Sequence, residues 1–117
     1  MMGGRLADVI DNMQTAATDA CLFVDGMTKE DFLADKRTQQ AVIMSLVIIG
    51  EAAARIMDQY DAFVAENASI PWRAMRGMRN RIAHGYFDVN LEVVWDTACS
   101  ALPVLRRQLE QLRRASP

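Results

Sequence analysis

The only histidine of the chain lies at the end of an arginine-rich segment, and this segment carries the clearest chemistry in the sequence. Residues 78–86 read MRNRIAHGY and contain Arg79, Asn80, Arg81 and His84. A histidine can accept and return a proton near neutral pH, because its ordinary pKa lies there. An arginine beside it can hold a phosphate and stabilise negative charge that develops on phosphorus. The segment therefore predicts acid–base chemistry at a phosphate group.

The spacing of these residues limits how they can cooperate. Arg79 and His84 are five residues apart, which places them about 140° apart around an ideal helix. They can face one substrate only if the last helical turn loosens or if their side chains reach around the helix, and Gly85 permits such loosening. Asn80 and His84 are four residues apart and share a face.

Each of these residues also has an ordinary structural explanation. A histidine at a helix C-terminus often caps carbonyl groups and meets the negative end of the helix dipole. Arginines on an exposed helix often form only a solvated face, and short motifs give many false positives. The pattern taken alone favours a structural role for His84 over a catalytic one.

The arginines of this segment stand out in an acidic chain. The sequence holds 13 Lys+Arg and 15 Asp+Glu, for a formal net charge of −2. Residues 72–84 nevertheless carry four arginines and no acid, which indicates a focused anion site rather than a surface that coats nucleic acid. The planar guanidinium suits bidentate contact with phosphate, so the candidates for substrate binding are Arg73, Arg76 and Arg81.

Length and composition exclude several classes of protein. A chain of 117 residues, 51 % hydrophobic and 24 % charged, is expected to fold as one domain over residues 1–117. Cys21 and Cys99 fit no disulfide framework and no metal spacing, so we expect a reducing cytoplasm, no metal and no cofactor. The longest apolar run, residues 41–50, is too short to span a bilayer, and the acidic N-terminal region does not resemble a signal peptide.

The hydrophobic residues recur every three or four positions, which predicts an all-α, up-down helical bundle. We expect four main helices and one short helix, over about residues 6–24, 30–34, 37–60, 72–83 and 91–112. Thr28 with Asp31 predicts a capping box at the start of the short helix, and Asp88 or Asn90 is the expected cap of the last helix.

Two regions between and within these helices are expected to be irregular. Residues 61–70 read as a polar loop that ends with Ser69 as the N-cap of the next helix and Pro71 in its first turn. Gly85 is expected to stop that helix. Pro103 lies inside the last helix and removes one backbone hydrogen bond, so we expect a kink near Cys99.

The long second helix is apolar on nearly every side between residues 41 and 50. A small bundle cannot easily cover every side of such a helix, so we expect a homodimer interface there, the alternative being a neighbouring helix within the chain. On the same helix Glu51 and Arg55 are four residues apart, which predicts an ion pair between them.

The run PWRAMRGMRNRIAHGYF at residues 71–87 resembles the signature of the HepT-type toxins of the HEPN superfamily. The upstream run IIGEAA at residues 48–53 and the downstream run LEVVW at residues 91–95 are similar to the same family in the same order. The likeness extends from about Thr38 to Leu109. The helical bundle expected from the periodicity agrees with the HEPN fold.

This resemblance implies a metal-independent endoribonuclease that works as a cytoplasmic homodimer. The family motif is an arginine, a following polar residue and then a histidine, and the residues that match it are Arg79, Asn80 and His84. Two such motifs would meet across the dimer cleft and act on an RNA substrate. The resemblance also implies an MntA nucleotidyltransferase antitoxin, which would adenylylate the tyrosine two residues after the histidine, here Tyr86.

Other functions stay open at this stage. The chain could be a non-catalytic helical module that binds a nucleotide or a nucleotidyltransferase through the same arginines, or it could be a plain dimerisation domain. Tyr86 could be a half-buried packing residue. Cleavage of RNA that depends on both Arg79 and His84 separates the enzyme from both alternatives.

Overall fold

The computed structural model describes residues 4–115, and this part of the chain is helical without any strand. The all-α prediction is therefore confirmed. A 3₁₀ turn over Tyr86–Asp88 and a π-helical turn over Thr97–Ala101 interrupt the α-helices. The α-helices are α1 (Gly4–Phe23), α2 (Lys29–Leu33), α3 (Lys36–Gln59), α4 (Asp61–Glu66), α5 (Trp72–His84), α6 (Leu91–Asp96) and α7 (Leu102–Ala115).

Helix α3 is the central element of the bundle. It packs against α1 on one side and against α5 on the other, and α1 also packs against α7. The core side chains follow the three-and-four spacing expected from the sequence, because a helix can bury only one continuous stripe against its neighbours. The largest side chains that are fully buried in this core are Phe32, Ile10, Met13, Ile49, Ile56, Leu109, Val42 and Val94.

Helix α3 is longer than the apolar run within it. With 24 residues, the helix is long and apolar enough to cross a membrane by length and composition. However, 56 % of its most apolar stretch is buried inside the bundle. That burial is typical of the core helix of a globular protein. Two apolar side chains on its outer side remain uncovered, namely Met44, which is 58 % exposed, and Ile48, which is 41 % exposed.

Two of the three predicted N-caps are present. Thr28 accepts a hydrogen bond from the backbone N–H of Asp31 at 3.1 Å, and Asp31 accepts one from the N–H of Thr28 at 3.0 Å, which completes the capping box. Asn90, rather than Asp88, caps α6, since its side-chain oxygen accepts from the backbone N–H groups of residues 92 and 93.

The polar loop predicted for residues 61–70 is wrong, because α4 occupies Asp61–Glu66. Phe63 contacts the core and lies edge-on to Trp72 at a centroid distance of 6.1 Å, so packing outweighs the polar composition of the segment. Ser69 is not the N-cap of α5 either. Pro71 occupies that position, and the helix begins at Trp72 with no side-chain cap.

Where a kink is expected near Cys99, the structure has a π-helical turn, which lies just before Pro103. A proline at this position cannot donate to the carbonyl group of Cys99, which breaks the regular pattern of the helix. The N–H of Leu102 instead bonds the carbonyl oxygen of Thr97, and residues 97–101 form a π-helical turn between α6 and α7. The last predicted helix is therefore two α-helices joined by this turn.

Candidate active site

Helix α5 presents two different faces. Its apolar face packs against α3 and buries Trp72, Met75 and Ile82, whereas Met78 is only partly buried against the core. The side chains of Arg73, Asn80 and most of the remaining residues of the helix lie outside this contact. The helix therefore holds its polar residues on a rigid support rather than on a loop.

Arg79 differs from the other arginines of α5 because it lies against α3. Its side chain is only 22 % exposed, and its Nη1 atom donates a hydrogen bond to Oε1 of Glu51 at 2.6 Å. Its Nε atom is buried and has no hydrogen-bond partner in the described part of the chain. The predicted ion pair between Glu51 and Arg55 is therefore replaced by one between Glu51 and Arg79.

Gly50 allows this close contact between the two helices. A Cβ atom at position 50 would overlap the Cβ of Arg79 and would lie 2.8 Å from the backbone oxygen of Met75. Neither atom is the far end of a flexible side chain, so a larger residue would push α5 away from α3. Gly50 and Glu51 together set the position of Arg79, the first through backbone approach and the second through a charged hydrogen bond.

The outward face of α5 carries most of the other predicted site residues. Arg73, Asn80 and His84 lie within about 40° of one another around the helix, and all three are exposed. The half-buried Arg76 lies at the edge of the same face. Eleven residues separate Arg73 from His84, so this face extends for about 16 Å along the helix.

Within one chain the structure does not bring Arg79 and His84 onto one face. Gly85 donates its backbone N–H to the carbonyl oxygen of Arg81 at 3.1 Å, so the last turn of α5 keeps its helical bond. The loosening that Gly85 permits is not observed. The two side chains leave the helix about 140° apart, Arg79 towards α3 and His84 towards solvent.

Arg81 occupies a third environment. It lines two neighbouring cavities of about 220 and 270 Å³ between α5 and the C-terminal helices. Met78 also lines both cavities. Its Nη2 atom lies 4.0 Å from the sulfur of Met78. Arg81 is therefore placed beside an apolar groove, whereas Asn80 and His84 face open solvent.

Tyr86 lies in the 3₁₀ turn that follows α5. Its side chain is 47 % exposed, and its ring meets the ring of Phe87 edge-on at a centroid distance of 5.9 Å. Phe87 is itself 98 % exposed. The side chain of Tyr86 is thus about half exposed, two residues after His84, which fits both a half-buried packing residue and a modification site.

The thiol of Cys99 does not provide an alternative nucleophile at neutral pH. Burial, followed by the negative charge of Asp96 and the neighbouring Cys21, raises the pKa of the Cys99 thiol above its ordinary value. A raised pKa keeps the thiol protonated at neutral pH, and the protonated form is a poor nucleophile.

Among residues 4–115 no cluster of His, Cys, Asp and Glu side chains could hold a metal ion.

Comparison with known proteins identifies the family. Residues 13–112 match the family described as ribonuclease HepT-like. The chain belongs to this family. It is 35 % identical over 107 residues to a Methanocaldococcus jannaschii protein provisionally named as an RNase, covering 92 % of this chain and 83 % of that relative. It is 38 % identical over 109 residues to a Thermococcus cleftensis protein provisionally named ribonuclease HepT, covering 93 % and 90 %. A search of solved structures found no match.

Sequence reasoning missed the contribution of α3 to the site of this HepT-like chain. The glycine at position 50 and the acid at position 51 were available as a signal, since both interrupt a strongly apolar helix. The distance of 28 residues between Glu51 and Arg79 hides their contact from any local pattern. Only the packing of α5 on α3 reveals it.

Two glycine substitutions test whether the contact at Gly50 is needed. Gly50→Ala should lower the free energy of unfolding by about 1–3 kcal/mol, because the new methyl group overlaps α5. Gly77→Ala is the matched control on α5, where a Cβ would meet only Nη1 of Arg81 at 3.6 Å. It should raise stability by about 0.5–1 kcal/mol, the usual gain from removing a glycine from a helix. Urea unfolding of both variants measures the difference, and a stabilised Gly50→Ala protein would contradict the contact.

Proposed function

We propose that this chain is a metal-independent endoribonuclease and the toxin of a toxin–antitoxin pair in the cytoplasm. The observation that carries the proposal is the pair of Arg79 and His84 on one rigid helix of a HepT-like chain. His84 is exposed and free of the core, and Arg79 is fixed against α3. The names of the two archaeal relatives as ribonucleases support RNA as the substrate.

The proposed reaction is an attack of the ribose on its own phosphate. His84 takes the proton from a 2′-hydroxyl group, and the resulting oxygen attacks the adjacent phosphorus while the bond to the 5′-oxygen breaks. A proton delivered to that 5′-oxygen, by the His84 of a second copy, completes the reaction. The products are a 2′,3′-cyclic phosphate and a 5′-hydroxyl end. DNA cannot react in this way because it lacks the 2′-hydroxyl.

The arginines and Asn80 have separate proposed roles. Arg79 stabilises the negative charge on the phosphorane-like transition state, and preorganised charges of this kind are often the largest single contribution to catalysis. Asn80 shares the exposed face with His84 and orients the histidine or the phosphate. Arg73 and Arg76 bind neighbouring phosphates along the same face, and Arg81 binds from the side of the apolar groove.

A homodimer would supply the cooperation that one chain lacks. The uncovered apolar side of α3 leads directly to the ion pair with Arg79. It consists of Met44 and Ile48, which are four residues apart, and Glu51 follows three residues later on the same side of the helix. Pairing of two copies over this side would bury the apolar residues and bring the two Arg79 side chains into one cleft. The His84 of one copy could then meet the Arg79 of the other.

Control by a nucleotidyltransferase antitoxin is also part of the proposal. Transfer of AMP to the phenol oxygen of Tyr86 would add bulk and negative charge beside His84, two residues away. Both effects would repel an RNA phosphate from the exposed face of α5. The support for this step is the exposure of Tyr86 and its place in the family motif.

The cleavage assay combines purified protein with RNA in excess EDTA. We expect cleavage to persist in EDTA, and to fall about 10²- to 10⁴-fold in His84→Ala, because general acid–base catalysis contributes factors of this size. Arg79→Ala should lose activity as well. Arg37→Ala is the matched control, since it removes an exposed arginine at the start of α3. Cleavage that disappears in EDTA or survives in His84→Ala would refute the mechanism, and RNA binding without cleavage would favour a non-catalytic module.

The oligomeric state can be tested by light scattering. The wild-type protein should have twice the 13.1 kDa mass of the chain, whereas Ile48→Asp should have the mass of one chain and lose cleavage. The reason is that a buried, unpaired carboxylate opposes association. Leu22→Asp is the matched control, because it places the same charge at another exposed apolar position on α1. A monomeric wild type, or a dimeric Ile48→Asp protein, would contradict this interface.

Mass spectrometry can test the modification. After co-expression with an MntA-type nucleotidyltransferase, the chain should carry an AMP-sized addition on Tyr86, and its cleavage of RNA should stop. Tyr86→Phe should escape both effects, whereas Tyr60→Phe, which alters the only other tyrosine, should remain modified and inhibited. An unmodified Tyr86 in an inhibited protein would show that the antitoxin acts in another way.

A further inference from the structure

The ion pair between Glu51 and Arg79 restricts which part of the guanidinium can reach a substrate. A guanidinium carries five N–H groups, one on Nε and two on each Nη atom. The Nε atom of Arg79 is buried and has no hydrogen-bond partner among residues 4–115, and Nη1 already donates to Glu51. A phosphate therefore cannot bind across Nε and one Nη atom. It can meet Arg79 only at the outer edge, through Nη2 and the remaining hydrogen of Nη1.

The pair is at the surface rather than in the core. The side chain of Glu51 is 60 % exposed, whereas that of Arg79 is 22 % exposed. Exposed ion pairs contribute little to stability, because water screens them. Stability alone is therefore a poor explanation for an acid that sits against the motif arginine. The acid has a clearer effect on geometry than on stability, since its carboxylate and Gly50 hold the guanidinium of Arg79 in one position.

We propose that Glu51 is a positioning residue that fixes Arg79 so that the Nη edge of its guanidinium faces the scissile phosphate. The negative charge of Glu51 also weakens the binding of intact RNA. The inference rests on the proposed ribonuclease function. Orientation acts on the rate of the bound complex, because a catalytic group displaced by about 1 Å can cost a factor of about 100. The charge acts on affinity, because a carboxylate beside a phosphate repels it.

Substitution by glutamine and by alanine separates these two effects. Glu51→Gln keeps an oxygen that can accept the hydrogen bond from Arg79, but it removes the charge. We expect its KM for RNA to fall about three- to tenfold at low salt, with kcat within about threefold of wild type. Glu51→Ala removes both the charge and the acceptor. We expect its KM to fall similarly and its kcat to fall at least about tenfold.

A matched ion pair on another helix provides the control. Glu110 accepts a hydrogen bond from Arg114 at 3.0 Å on α7, so Glu110→Gln and Glu110→Ala remove the same kind of surface pair away from α5. Both should keep wild-type KM and kcat. Thermal unfolding of all four variants checks that each is folded at the assay temperature. A purely structural role of Glu51 would change the folded fraction without lowering KM.

A double-mutant cycle links the effect to the guanidinium. Arg79→Lys leaves a positive charge but no planar group for Glu51 to orient. Adding Glu51→Ala to this variant should lower the single-turnover cleavage rate less than twofold, compared with at least about tenfold in the wild-type background. Equal losses in the two backgrounds, an unchanged kcat in Glu51→Ala, or a kcat in Glu51→Gln as low as that in Glu51→Ala would overturn the inference. Absence of cleavage by the wild-type protein would instead overturn the proposed function.

Discussion

The close contact of α5 with α3 at Gly50 is the constraint on which the arrangement of the site depends. The missing Cβ lets the backbone of α5 approach far enough for Glu51 to reach Arg79. Backbone approach of this kind cannot be adjusted by choosing another rotamer, because the atoms involved are a Cβ and a carbonyl oxygen. The position of Arg79 is therefore built into the packing of two helices, and any change in that packing also moves the motif.

The same contact separates Arg79 from the other arginines of α5. Arg79 lies against α3 and is partly neutralised by a carboxylate, whereas Arg73 and Arg76 lie on or beside the open face that ends in His84. In an acidic chain, arginines grouped on one face concentrate the positive potential where a polyanion can approach. In the proposed mechanism, the residues that capture the substrate therefore differ from the residue that stabilises the reacting phosphate.

Several sequence predictions that rest on a local cause are confirmed. The capping box at Thr28 and the cap at Asn90 involve residues within three positions of one another, and both are present. The effect of Pro103 is also local, since a missing N–H disturbs the turn before it. The loop predicted for residues 61–70 failed because Phe63 is held by Trp72, a contact that depends on where α5 lies.

The sequence by itself determined most of the helices and the motif with Arg79, Asn80 and His84, because helical periodicity and short spacings are properties of the local chain. Only the tertiary structure decided that Arg79 pairs with Glu51 rather than remaining free, and that His84 faces another direction. Residues 51 and 79 are 28 positions apart, and their approach depends on two helices meeting at a glycine. No local pattern encodes that distance, because it arises only when the helices pack.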